Sequence, residues 1–211
     1  MISLRHQTVF VHIPKCGGQS VEAAFLEDMG LEWSHRYLVG LNLVIVNKDR
    51  PGKPIAHLHA SEYVEKGYLP SFLFEKFFKF AIVRNPFART ESTYFYLGLH
   101  RIKSFEEFLS DNRESRPMER ILKAPQSPYV IDAAGNRLVD EIYRLEDLDR
   151  DWPLIQQRCG LQARLHHQNK GKRPFQIEWT PRLVDLMNEK YADDFDRFGY
   201  ASVPEERRCA S

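Results

Sequence analysis

Residues 8–20 read Thr-Val-Phe-Val-His-Ile-Pro-Lys-Cys-Gly-Gly-Gln-Ser. Lys15 stands just before the bare backbone of Gly17 and Gly18, where a mobile ammonium suits a phosphate or a sulfate. The alternative is a plain strand-to-helix turn with a surface lysine, because short glycine motifs recur by chance. A second stretch, residues 78–94, reads Phe-Lys-Phe-Ala-Ile-Val-Arg-Asn-Pro-Phe-Ala-Arg-Thr-Glu-Ser-Thr-Tyr. Arg84, Arg89 and Ser92 offer two guanidinium groups and a hydroxyl, enough to take a phosphate bidentately. Here the alternative is an arginine-capped helix with solvated charges. Between the two stretches lie His57 and His59, in Pro-Ile-Ala-His-Leu-His-Ala-Ser-Glu at 54–62. Histidine is the side chain best poised to take a hydroxyl proton near neutral pH. A satisfied core histidine or a surface pair is the other reading.

The elements that must position these groups can be read from the spacing of apolar residues. Thr8 to Ile13 is rich in β-branched and aromatic residues and predicts a short buried strand, ended by Pro14. Ser20 to Met29 carries Val21, Ala24, Phe25 and Met29 at helical spacing and stops at Gly30. Strand, glycine loop and helix in this order gather N–H groups and a positive helix end at one point, an anion cradle. Phe78 to Val83 predicts a strand covered on both faces, and Pro86 suits the first turn of the next helix. Arg84 thus falls at a strand end, where open α/β sheets bind ligands. On a strand, His57 and His59 would point the same way. The first loop departs from the common nucleotide-binding pattern, in which the lysine follows the second glycine and precedes a Ser or Thr that ligates magnesium. Lys15 is followed by Cys16 instead, and a thiol is a poor ligand for a hard cation. Beside Lys15 at a helix N-terminus, that thiol is expected to be reactive.

Taken together, the two stretches resemble the sulfotransferase family, in the branch that includes carbohydrate sulfotransferases. The family signature His-Ile-Pro-Lys-Thr-Gly-Gly-Thr-Ser is matched by His12 to Ser20 except at Cys16 and Gln19. Its second signature, Arg-Asn-Pro-x-x-Arg-x-x-Ser-x-Tyr, is matched in full by Arg84, Asn85, Pro86, Arg89, Ser92 and Tyr94. His167, Asn169 and Lys170 are similar to a family loop reading His-x-Asn-Lys, and the close at 191–200 is also similar to the family's. The resemblance implies an α/β fold with a central parallel sheet flanked by helices, related to P-loop nucleotide kinases. It implies 3′-phosphoadenosine 5′-phosphosulfate as the donor. Lys15, Cys16, Gly17, Gly18, Gln19 and Ser20 would hold the 5′-phosphosulfate, and Arg84 with Ser92 the 3′-phosphate. The basic loop carrying Lys170, Lys172 and Arg173 would fold over the nucleotide. His57, followed by Ala60 in a His-x-x-Ala context, resembles the family's catalytic base and leaves His59 as the extra histidine. Lys15 would stabilise charge building on the bridging oxygen. Cys16 and Gln19 replace hydroxyls that hydrogen-bond the phosphosulfate in the family.

Length and composition favour a single domain over residues 1–211. Thirty basic and twenty-nine acidic residues nearly cancel, so no global field draws the protein to nucleic acid or membrane. No apolar run approaches the roughly 20 residues needed to cross a bilayer, and the N-terminal residues lack a signal-peptide pattern. A cytoplasmic location is therefore expected. The three cysteines, Cys16, Cys159 and Cys209, are widely spaced, and no metal-binding motif appears. Leu43 to Val46 suggests a strand, Ser104 to Glu107 a capping box, Val139 to Leu145 a last strand, and Thr180-Pro181 the start of a final helix. Arg113, Arg116, Arg120 and Lys123 follow at roughly helical intervals, as a solvated face or an acceptor patch for an anionic sugar. The acceptor is expected to be a glycan hydroxyl, with phenols or lipid-linked alcohols next. Two rivals stand against this reading. A small-molecule kinase would need the missing Lys-Ser/Thr pair, and a nucleotide-binding module would have lost its base.

Overall fold

The computed structural model of the protein describes residues 1–37, 55–111, 117–166 and 174–204. Along them the chain forms β1 (Ile2–Ser3), β2 (Thr8–Val11), α1 (Gly18–Asp28), α2 (Glu62–Glu65), α3 (Ser71–Lys76) and β3 (Phe78–Val83). There follow α4 (Pro86–Tyr96), α5 (Phe105–Ser110), α6 (Pro117–Lys123), β4 (Glu141–Arg144), α7 (Leu148–Cys159) and α8 (Pro181–Arg197). The chain divides into two compact units, residues 1–83 with 128–168 and residues 84–127 with 169–211. The strand suggested at Leu43 to Val46 lies outside the described residues.

The first unit holds the sheet, with strands in the spatial order β1-β2-β3-β4. β2, β3 and β4 run parallel, with Val9 opposite Lys79 and Ile82 opposite Tyr143. This is the expected α/β arrangement with one addition, since β1 pairs antiparallel to β2 at the sheet's edge. Val9, Phe10, Val11, Phe80, Ala81, Ile82 and Val83 are all buried. That matches parallel strands covered on both faces. After β2 the chain turns through the glycine loop into α1, which begins two residues before the expected Ser20. Its inner face carries Val21, Ala24, Phe25 and Leu26. Gly30, at φ 69°, ends the helix in a conformation that glycine adopts without cost. The Asp28 carboxylate accepts from the N–H groups of Gln162 and Ala163 at 2.7 and 3.3 Å, which ties the end of α1 to the segment after α7.

The second unit is helical. Phe87, Tyr94, Phe105, Phe108, Trp179, Met187, Tyr191 and Phe195 form its core. The caps follow the sequence. Asn85 accepts from the N–H groups of Phe87 and Ala88, Ser104 and Glu107 close a capping box, and Thr180 accepts from Leu183. The Trp179 indole donates to the buried Glu91 carboxylate at 2.9 Å. Lys123 is buried, and its ammonium donates to the carbonyls of Phe108 and Asp111 at 2.7 and 2.8 Å. It is therefore a structural cation and not part of a solvated face or acceptor patch. Arg113 and Arg116 lie outside the described residues.

Candidate functional site

The first unit gathers a cluster of groups around the glycine loop. β2 ends at Val11, and Lys15 follows in a left-handed conformation at φ 64°. Among the described non-glycine residues only Gln7, Lys15 and His57 have positive φ. Such strain persists where the surroundings impose it, and it concentrates at working sites. Gly17 caps α1 at φ 76°, and a Cβ there would come within 2.6 Å of Leu145. Gly18 needs its bareness for another reason. A Cβ on it would lie 2.2 Å from both Cδ2 and Nε2 of His12, whose ring covers the start of the helix. α1 begins without a side-chain cap, so its first turn presents the positive end of the helix at the loop. A strand end, two bare glycines and a helix start without a side-chain cap together suit a small anionic group.

Cys16 does not meet the expectation of a reactive thiol. It is 1% exposed, and its S–H donates to the Pro14 carbonyl at 3.5 Å. A thiolate has no open approach there. Gln19 is exposed and Ser20 is buried.

His57 and His59 do not share a strand. His57 sits in a turn and His59 in the irregular backbone that follows, and they point to different neighbours. The His57 Nδ1–H donates to the backbone carbonyl of His12 at 3.0 Å, and the two imidazoles meet edge to face at 4.6 Å. Because a carbonyl can only accept, Nδ1 carries the proton and Nε2 presents a lone pair. Burial, then the charge of His12, pushes His57 from its ordinary 6.5 down to about 4. His57 is therefore neutral at physiological pH. His59 lies instead against Tyr129 at 4.5 Å, with its backbone N–H held by Glu62 at 2.8 Å. Burial lowers its pKa as well, against the pull of Glu62.

Beneath His57 lies a pair to which the sequence motifs assign no role. The Nδ1–H of His12 donates to Glu22 at 2.9 Å, with both side chains buried. Burial raises the Glu22 carboxyl, but the charge and hydrogen bond of His12 outweigh it, so the net direction is downward. The one signal in the sequence is a glutamate one step from Val21, on a helix whose buried face is otherwise built from Gly18, Ser20, Val21, Ala24, Phe25 and Leu26 and carries no other charge.

In the second unit, Arg84 and Asn85 precede α4, and Ser92 lies on it, half-buried. Arg89 belongs to the helix packing and not to a surface anion site. It is 1% exposed, and its guanidinium donates to the carbonyls of Ala124 and Leu122 at 2.8 and 3.4 Å. The backbone of Arg84 is held on both sides by one buried side chain. Its N–H donates to Gln126 Oε1, and its carbonyl accepts from Gln126 Nε2, both at 2.9 Å. Asp194 on α8 in turn accepts from the N–H groups of Gln126 and Ser127 at 2.8 to 2.9 Å. Burial raises the Asp194 carboxyl above the usual carboxylate range even so. Lys170, Lys172 and Arg173 lie outside the described residues.

Among the described residues, no group of three or more His, Cys, Asp or Glu is placed to hold a metal ion. None of the described helices is long and apolar enough to cross a membrane. A family model described as the sulfotransferase family matches residues 1–201 of the 211-residue chain. No curated protein and no solved structure matches it.

Proposed function

The chain belongs to the sulfotransferase family, and from that premise we propose that it moves a sulfuryl group from 3′-phosphoadenosine 5′-phosphosulfate to an acceptor hydroxyl, with residues 1–211 acting as one domain. The observation that carries this reading is His57. It is held by the His12 carbonyl in the tautomer that leaves a lone pair on Nε2, which makes no hydrogen bond among the described residues, and His12 leads into the strand-loop-helix turn that bears Lys15. His57 takes the acceptor's proton at Nε2 while the acceptor oxygen bonds to sulfur. The bond from sulfur to the phosphate oxygen breaks, and adenosine 3′,5′-bisphosphate leaves with the electron pair. The Lys15 ammonium and the loop amides meet the charge that gathers on that oxygen, and such positioned electrostatics carry displacements of this type.

In this reading Lys15, Cys16, Gly17, Gly18, Gln19 and Ser20 hold the phosphosulfate, the thiol of Cys16 staying buried while its backbone faces the ligand. Arg84 and Ser92 take the 3′-phosphate, and Lys170, Lys172 and Arg173 attend the nucleotide. His59 is the second candidate for the base. A glycan hydroxyl is the first acceptor to try.

The test incubates labelled donor with a panel of hydroxyl acceptors, glycans first. Label should pass to an acceptor. Lys15→Ala should cost turnover far more than donor affinity, because its charge matters most where charge develops. A protein that transfers no label, releases no sulfate from the donor and binds no adenosine 3′,5′-bisphosphate would overturn the proposal.

A further inference from the structure

His12 has no part in the transfer as described above, yet it is placed like a reacting group. It is 7% exposed and packed between the rings of Phe10 and His57. Its Nδ1–H is committed to Glu22, which is 1% exposed and whose second oxygen makes no hydrogen bond among the described residues. Its Nε2 makes no hydrogen bond among the described residues. That atom lies 2.2 Å from where a Gly18 Cβ would stand, so it faces the first residue of α1. The uncapped start of α1 therefore has a second feature suited to an anion, an unpartnered ring nitrogen set over it.

We infer that His12, oriented by Glu22, is a further catalytic residue that hydrogen-bonds the phosphosulfate oxygens beside Lys15. This inference rests on the proposed sulfuryl transfer. The Glu22 carboxylate holds Nδ1–H from behind at 2.9 Å, and a proton on Nε2 turns the ring's other side into a hydrogen-bond donor aimed at the loop. The bond from sulfur to the bridging oxygen breaks, and charge collects on that oxygen. His12 stabilises it without giving up its proton, since the acceptor's proton has gone to His57. A preorganised donor costs no rearrangement at the moment of reaction. The pair also accounts for Gly18, because any side chain there would push the ring off the helix start.

Two substitutions separate this role from a purely structural one. In His12→Asn the amide N–H replaces Nδ1 and can keep the bond to Glu22, but nothing reaches the loop. In His12→Gln the amide reaches toward the position of Nε2. The probes are sulfuryl transfer to water or the best acceptor, binding of adenosine 3′,5′-bisphosphate, and the melting temperature. His12→Asn should melt like the parent, bind the bisphosphate nearly as well, and lose about 100-fold in kcat, the usual yield of one such donor. His12→Gln should recover part of that loss. Glu22→Gln, which keeps the shape and removes the charge, should lower kcat with little change in the donor KM, and it carries the test if His12→Asn fails to fold. Parent-like kcat in a folded His12→Asn or Glu22→Gln protein overturns the inference alone. A wild-type protein that neither transfers sulfuryl nor binds the bisphosphate sinks the underlying reading, and this inference with it.

Discussion

His57 occupies a backbone conformation that costs energy for any side chain but glycine, and asparagine bears it better than most. His57→Asn thus keeps the turn and removes the imidazole. It should lower turnover by about 100-fold or more, the usual contribution of a general base, and leave donor affinity nearly intact. His59→Ala should cost much less, and the opposite ranking would move the base to His59. The depressed pKa of His57 also makes a stability prediction. The folded protein prefers the neutral ring, so the full stabilisation is present above pH 6.5 and drains away as pH falls toward about 4. The amount is roughly 3 kcal/mol. Denaturant midpoints measured from pH 7.5 to 4.5 should fall more steeply for the parent than for His57→Asn, and equal slopes would mean that the ring is not held neutral. Only part of this is legible in the sequence. Lys15 stands out there as a lysine before two glycines, and His57 through its resemblance to the family's His-x-x-Ala context. Cys16 misleads, because its neighbour in sequence, Lys15, is cationic while its neighbours in space exclude solvent. Gly18 reads in sequence as bare backbone, but its true partner is the His12 ring, a contact that a one-dimensional pattern does not contain.

The segment before α4 is held by a chain of buried polar groups that reaches α8. Asp194 fixes the backbone of Gln126, and the carboxamide of Gln126 grips both backbone groups of Arg84. If Arg84 takes the 3′-phosphate, loosening this grip should weaken recognition of that phosphate in particular. Gln126→Met, similar in shape but unable to bridge, should therefore reduce the preference for adenosine 3′,5′-bisphosphate over adenosine 5′-monophosphate. Arg84→Ala should abolish most of it, at a cost of about 2 kcal/mol or more for a lost charged contact. Calorimetry with both nucleotides decides the matter. A preference unchanged in Arg84→Ala removes the 3′-phosphate from that residue, whereas one lost in Arg84→Ala but kept in Gln126→Met denies Gln126 its positioning role. The strands and major helices are legible in the sequence because apolar runs, prolines and caps are local. The stretch around His57 is not, since two histidines separated by one residue suit a strand as well as a turn. Asp194 gives a faint sign, standing seven residues after Met187 on the apolar face of α8. Gln126 gives none, because its partners are 42 and 68 residues away in the chain.

Over the whole chain, nearly balanced charge would leave recognition of the proposed anionic donor to local sites. Two stretches of the chain, around Lys15 and around Arg84, have the residue types for such sites. A ligand carrying a phosphate on each side of its ribose should therefore stabilise the fold more than one carrying a single phosphate. At 100 times its dissociation constant, adenosine 3′,5′-bisphosphate should add about 2.7 kcal/mol. For a chain of this length that corresponds to a melting-temperature rise of roughly 5 to 10 °C. Adenosine 5′-monophosphate at the same concentration should give a smaller rise, as should ATP, whose phosphates all lie on one side of the sugar. The loop lacks the hydroxyl that follows the lysine in magnesium-binding loops, so the bisphosphate shift should be the same with chelator as with magnesium. A shift that appears only with magnesium, or that ATP matches at equal concentration, would favour the small-molecule kinase over the sulfuryl donor.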